Sequence, residues 1–240
     1  MPMQIISLPI AAPAERRFGV RRVPHRNINA ARWMRMPPAT VLPLRESASD
    51  DALRIIRGCV ALYQLLPDGR RQILDILGPG RLIHRQMTDS AACTAETLSP
   101  TQFDRHPLAA PQATADWLAA ALLMLRRAQQ HALLLGRKTA RERVAFAVLD
   151  LAQQFGARMR DCTYAEVIFR LHLTRTDLAD WLGLTGETVS RTLNALKREG
   201  LIGFDTPDII TVKSLTALKT LAGETPASLA TLDPLPSLTF

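Results

Sequence analysis

The stretch from Leu173 to Gly200, LTRTDLADWLGLTGETVSRTLNALKREG, constrains this chain more than any other. It reads as two short helices joined by a tight turn. Thr174 is placed to cap the first helix, with Asp177 three residues on in the capping-box position. Leu178, Trp181 and Leu182 give that helix one apolar face. Gly183-Leu184-Thr185 breaks the pattern, because glycine lets the backbone reverse where a helix interior would not. Thr185 can cap the second helix. In that helix Val189, Leu193 and Leu196 recur three to four residues apart as a stripe to be buried. The other face carries Gly186, Glu187, Ser190, Arg191, Asn194, Lys197 and Arg198. An apolar back with a polar, net basic front suits a helix that lies in the major groove of DNA. The same pattern also fits an ordinary solvated helix pair.

Charge points the same way. The chain has 30 Lys and Arg against 22 Asp and Glu, a net charge of +8, which suits a polyanionic partner. Its 240 residues, 47% of them apolar, leave room for two modest domains with cores. Cys59, Cys93 and Cys162 lie far apart with no C-x-x-C spacing, so no zinc site or iron–sulfur cluster is written locally. No metal and no cofactor are expected. So sparse a cysteine count fits a reducing, cytoplasmic setting. There is no apolar run of about 18 residues, so no membrane-spanning helix is expected. The first residues are apolar and the arginines come later, the reverse of a secretory signal.

In order along the chain, residues 1–36 hold seven arginines from Arg16 to Arg35. They read as a basic extension, loosely docked or reaching DNA phosphate or a partner. Residues 37–112 read as short strands. Ala39–Leu44 and Leu53–Arg57 come first. Cys59–Leu66 and Arg71–Leu77 then flank Pro67-Asp68-Gly69-Arg70, a strong hairpin signal. Cys93–Leu98 and Thr101–Arg105 come next. Together they suggest a small antiparallel roll or barrel. Residues 113–136 switch to helix. Leu118, Ala121, Leu125, Ala128, Ala132 and Leu135 alternate in steps of three and four, a heptad seam that predicts a coiled-coil contact with a second copy. Leu122 and Leu133 add a second apolar edge that could pack on the helix's own domain. Gly136 reads as a stop or hinge before a helix over Arg137–Phe155. After the opening motif, Leu201–Phe204 and Ile209–Val212 read as a wing, and Ser214–Leu221 as a last helical turn or two. Residues 223–240, broken by Pro226, Pro234 and Pro236, read as a loose tail. The expected class is α+β: an N-terminal antiparallel β-roll, a long dimerisation helix over 113–136, and a winged helix-turn-helix over 137–222.

This order resembles the Crp–Fnr family of bacterial transcription regulators. VALYQLLPDGRRQILDILGPG resembles the central hairpin of its cyclic-nucleotide-binding-like roll. HALLLGRKTARERVAFAVLDLA resembles the end of its dimer helix and the helix after it. LTRTDLADWLGLTGETVSRTLNALKREGLI resembles its DNA reader. The match spans roughly residues 40–222. The resemblance implies a homodimer on double-stranded DNA, acting with RNA polymerase. It implies that Glu187, Ser190 and Arg191 read bases in the manner of the Fnr and FixK branch, on a palindrome like TTGAT…ATCAA. The base chemistry agrees. Arginine can bond guanine O6 and N7, glutamate accepts from cytosine N4, and serine bonds either kind of base edge. Residues four apart share a helix face. Gly186 departs from the larger side chain usual at that place. Thr174, Thr176, Lys197 and Arg198 are expected on phosphates.

Two family sensors are missing. Residues 1–58 contain no cysteine for an Fnr-type cluster. GRLIHRQMTDSAACTAETL lacks the Gly-Glu turn and the Arg-Ser pair that hold a cyclic nucleotide. Arg81, His84 and Arg85 could hold another anion or form a solvated edge. Cys93, inside that cassette, is the candidate redox thiol, with a buried inert cysteine as the alternative. Two other functions remain in view: a degraded regulator whose roll only docks proteins, and an enzyme. For the second there is no G-x-x-x-x-G-K-[ST], H-E-x-x-H or G-x-S-x-G, so no catalytic residue is assigned.

Overall fold

The computed structural model describes residues 21–22, 33–44, 51–89, 93–107, 113–158 and 166–223. The roll comprises β1 (Arg21–Arg22), β2 (Trp33–Met36), β3 (Thr40–Val41), β4 (Ala52–Arg57), β5 (Val60–Leu65), β6 (Arg71–Leu77), β7 (Leu82–Ile83), the short helix α1 (Gln86–Asp89), β8 (Thr94–Thr97) and β9 (Thr101–His106). Two sheets form, ordered β1-β3-β8-β5-β6 and β2-β9-β4-β7. All their pairings are antiparallel except β1 on β3. Residues such as Met36, Ile55, Leu62, Ile83 and Phe103 fill the core between them.

The hairpin is built as its turn residues dictate. Gly69 has φ +85°, a conformation that favours glycine. The Asp68 carboxylate accepts from the Arg70 N–H at 3.0 Å and from its Nε at 2.7 Å. β5 is buried on both faces. Val60 and Leu62 point into the roll core, and Ala61 and Tyr63 point outward into a second core shared with the C-terminal domain. The hairpin is thus the wall between the two domains.

The C-terminal part runs α2 (Ala113–Arg137), α3 (Ala140–Phe155), β10 (Ala157–Arg158), β11 (Val167–Arg170), α4 (Arg175–Leu182), α5 (Gly186–Arg198), β12 (Ile202–Thr206), β13 (Ile209–Val212) and α6 (Leu215–Leu221). The wing belongs to a four-stranded sheet ordered β10-β11-β13-β12. β10 and β11 carry no turn signal in the sequence; β11 pairs with β10 on one side and, on the other, with β13, which returns to it from later in the chain.

Several expected boundaries move. Trp33–Met36 and Arg21–Arg22 fall in the stretch expected as an extension, yet both pair into the roll. Their partners lie far along the chain, out of reach of local pattern. The strand expected over Ala39–Leu44 shortens to Thr40–Val41. Pro37-Pro38 precede it, Ala39 sits at φ 55°, and past Val41 a single further bond, from the Leu42 N–H to the Ala95 carbonyl at 2.9 Å, continues toward β8. Gly136 is no hinge: α2 continues through it to Arg137. The break comes at Lys138-Thr139, where Thr139 and Glu142 form a capping box that opens α3. Residues 224–240, expected as a tail, lie outside the described residues, as do Cys162 and most of 1–36.

Candidate nucleic-acid interface

The reader forms as its sequence predicts. Thr174 caps α4, its hydroxyl accepting from the Asp177 N–H at 3.0 Å and donating to the Asp177 carboxylate at 2.6 Å. Gly183, at φ +61°, ends α4 in the left-handed conformation. Thr185 caps α5 by accepting from the Thr188 N–H at 3.2 Å. Val189, Leu193 and Leu196 are buried as α5's inner stripe. Lys197 and Arg198 stand in its last turn, where the helix dipole favours cations.

Glu187 and Arg191 form an ion pair one turn apart, with 70% and 79% of their side chains exposed. Ser190 is half-buried on the same helix. The three expected base readers therefore share one open surface. Among the expected phosphate contacts, Thr176, Lys197 and Arg198 are exposed. Thr174 is exposed as well, but its hydroxyl is committed to the cap. Gly186 is the first residue of α5, and a Cβ there would have nothing nearer than the Arg175 carbonyl oxygen at 4.0 Å. Glycine is not required there by packing.

One residue that the sequence reading passed over belongs to this surface. Arg175 lies between the two threonines named for phosphate. Its guanidinium sits 5.5 Å from the centre of the Phe204 ring, and Lys197 Nζ lies 5.6 Å from the same ring. Desolvation pulls Arg175 below the ordinary arginine range. Its Nη1 is buried with no hydrogen-bond partner among the described residues. A wing aromatic thus gathers two cations beside the recognition helix. Only the fold brings Phe204 there.

The reader is anchored from behind. Arg71 of β6 pairs with Asp177, with Asp180 at 2.9 Å and with Glu96 at 4.0 Å, so the roll grips the first reader helix. Arg143 donates to the carbonyls of Leu135 and Leu182, each at 2.9 Å, tying the ends of α2 and α4 together. Those carbonyls have no partner inside their own helices. Arg127, with 8% of its side chain exposed, pairs with Asp75 at 2.7 Å and Asp150 at 2.5 Å. Arg81 completes this network on Asp75 at 2.9 Å. Arg81 is therefore neither a solvated edge nor a free anion ligand. His84, from the same expected cluster, is buried edge-on to Trp117 at 5.2 Å.

The heptad residues divide. Leu118 and Leu125 are 60% and 55% exposed, and Ala121, Ala128 and Ala132 are exposed too. Leu135 is half-buried and packs on the chain's own core. Leu122 and Leu133, read as an edge for the helix's own domain, are instead exposed. The inward face of α2 is built from Arg127, His131 and Leu134. Cys93 is 4% exposed in the roll core, a setting that favours an inert thiol. Burial, and then the charge of Asp177, push the Cys59 thiol far above its ordinary range. Among the described residues no helix is long and apolar enough to cross a membrane.

A β-roll joined through a long helix to a winged helix-turn-helix defines a DNA-binding transcription regulator. Residues 142–221 match the Crp-like helix-turn-helix domain. The chain is 34% identical to the nitrogen fixation regulation protein FixK of Rhizobium meliloti, covering 76% of this chain and 86% of that one. It is 35% identical to the transcriptional activator protein FnrL of Cereibacter sphaeroides, covering 73% and 74%. The structure of FixK2 from Bradyrhizobium japonicum superposes with a TM-score of 0.66 at 28% identity, over 79% of this chain and 96% of that one. A CRP-family regulator from Thermus thermophilus gives 0.64 at 26%, over 80% and 97%. The chain belongs to the Crp/Fnr family of transcription regulators, in its FixK branch.

Proposed function

We propose that this regulator works as a homodimer that reads a palindromic site of the TTGAT…ATCAA type, with Glu187, Ser190 and Arg191 on base edges. The observation that carries the reading is α5 itself: its apolar stripe is wholly buried while Glu187 and Arg191 stand mostly exposed. Thr176, Arg175, Lys197 and Arg198 surround them as phosphate contacts, whereas Thr174 has both its hydroxyl and its backbone N–H committed to Asp177. A palindrome calls for a two-fold protein. The exposed leucines of α2 supply an apolar face on which a second copy can pack. RNA polymerase is the further partner through which such a dimer acts. Binding needs no cyclic nucleotide. Gly80 to Ala95 offers neither a glutamate nor an Arg-Ser pair, and Arg81 is already held by Asp75. Control then rests on expression level, another ligand or a thiol.

The test is a titration of a palindromic duplex against a scrambled one at matched salt, without nucleotide. The palindrome should bind about a thousandfold tighter or more. Equal affinities would refute sequence reading and favour a roll that only docks proteins. Light scattering of Leu125→Glu should report monomer, because a charge buried in the seam is costly. A dimer in that variant would move the interface elsewhere.

A further inference from the structure

The junction between roll and reader holds a histidine with a carbonyl oxygen at each ring nitrogen. On the inward face of α2, His131 Nδ1 lies 2.9 Å from the Leu74 carbonyl oxygen, and Nε2 lies 2.7 Å from that of Trp181. Both partners can only accept. A neutral imidazole has one N–H, and its other nitrogen presents a lone pair. The neutral ring would therefore satisfy one carbonyl and oppose the other. The imidazolium satisfies both.

The fold makes these two carbonyls available. The β5–β6 register jumps, pairing Leu62 with Asp75 and Tyr63 with Ile73, so Leu74 has no opposite residue. Such a bulge disrupts the ladder and leaves the extra residue unpaired. Trp181 lies in the last turn of α4, where carbonyls lack intrahelical partners. Gln72 Nε2 also approaches it, at 3.4 Å. Gly183 and the reader turn begin two residues later.

The charged groups on the elements packed against the ring are already committed. On β6, Asp75 is held by Arg127 and Arg81. On α3, Asp150 is held by Arg127. On α4, Asp177 and Asp180 are held by Arg71 of β6. Each carboxylate has its guanidinium, and the imidazole is left with the two carbonyls.

We infer that His131 is a positioning residue for DNA recognition: as an imidazolium it ties the end of α4 to the β6 bulge, and losing its proton releases α4 and with it α5. The inference rests on the DNA-binding reading of α5. The tied arrangement leaves Glu187 and Arg191 exposed, so it is the arrangement competent to bind. Release adds an ordering cost to binding. Affinity therefore falls when the ring gives up its proton, that is, with rising pH.

The experiment tracks operator affinity of the full chain at fixed salt from about pH 6 to about pH 8, inside the interval over which histidine side chains can change charge, with wild type beside His131→Gln. Wild type should weaken about fivefold, the equilibrium equivalent of one ordinary hydrogen bond, while His131→Gln shifts by less than about twofold. Matching profiles for the two proteins overturn the inference. A second measurement needs neither DNA nor a variant. In deuterated wild type, proton–nitrogen spectra should show the backbone amides of 72–76 and 180–184 moving together with the His131 ring. Ring titration without those shifts also overturns it. If wild type binds no duplex at any pH, the DNA reading falls, and the amide shifts decide the positioning role by themselves.

Discussion

Arg127 at the junction and Arg191 on the reader both pair with carboxylates, in opposite surroundings. The Arg127 side chain is 8% exposed and shared between Asp75 and Asp150. That of Arg191 is 79% exposed and meets Glu187 on the next turn of its own helix. An exposed pair one turn apart contributes about 0.3–0.5 kcal/mol. On the proposed reading DNA would take over both groups at little cost, and in its absence each keeps the other oriented along α5. A buried pair offers no such exchange, because the partner left behind is an uncompensated charge in a low dielectric. The molecule thus sets labile charges on a surface whose rear is fixed by charges that do not let go.

The largest expected effect comes from breaking the fixed end. Arg127→Met should lower unfolding stability by about 3–5 kcal/mol, the range for removing one partner of a buried pair. Urea denaturation near neutral pH measures it, and a loss under about 1 kcal/mol would show that the junction tolerates opening as the surface does. The variant has a pH signature as well. Burial raises Asp75, but the guanidinium groups of Arg127 and Arg81 outweigh it and hold the carboxyl below the ordinary carboxylate range. A carboxyl lowered in the folded state adds stability that is present above its unfolded value, about 3.9. That stability disappears as pH falls through the folded value. With Arg127 gone, only Arg81 opposes burial, so acid unfolding should begin at a higher pH than in wild type.

The same contrast explains what the sequence disclosed. The reader was legible because its rules are local. Thr174 with Asp177, the Gly183 turn, Thr185 and the Val189, Leu193, Leu196 stripe lie within one stretch of chain, and each forms as expected. The hairpin was legible for the same reason. The junction was not. Arg127 and Asp75 are separated by 52 positions, and Arg71 and Asp177 by 106. Beside Arg126, Arg127 looks like part of a solvated pair. Its spacing to His131 and Leu134 repeats every three to four residues, a second face that the apolar heptad overshadowed. Arg175 was hidden for want of Phe204, which only the wing delivers. Trp33–Met36 was lost in an arginine-rich stretch whose pairing partner, β9, comes much later.

At the labile end the expected loss is smaller and of another kind. Arg191→Ala should weaken the cognate site by about 1–3 kcal/mol, the size of one bidentate base contact. Its effect on random duplex should be less, because phosphate contacts dominate there. Folding stability should stay within about 0.5 kcal/mol of wild type, since the group is exposed and its pair weak. Equal losses on both duplexes would make Arg191 a phosphate contact. A drop in stability like that expected for Arg127 would erase the distinction between the two ends.

The smallest effect tests whether the reader surface carries any packing constraint of its own. Gly186 has a helical backbone, and a Cβ there meets nothing closer than 4.0 Å. Gly186→Ala should therefore raise stability by about 0.4–1 kcal/mol, mainly by narrowing the unfolded ensemble. A methyl group neither donates nor accepts, so it adds no hydrogen bond to a base edge. Operator affinity should stay within about twofold, less than the loss of a single net hydrogen bond. Should affinity instead fall severalfold while stability rises as expected, the glycine serves DNA rather than the fold: its missing side chain lets the start of α5 approach a phosphate closely enough for a backbone N–H to donate to it. That outcome would add a backbone contact to the labile end and leave the buried junction as it stands.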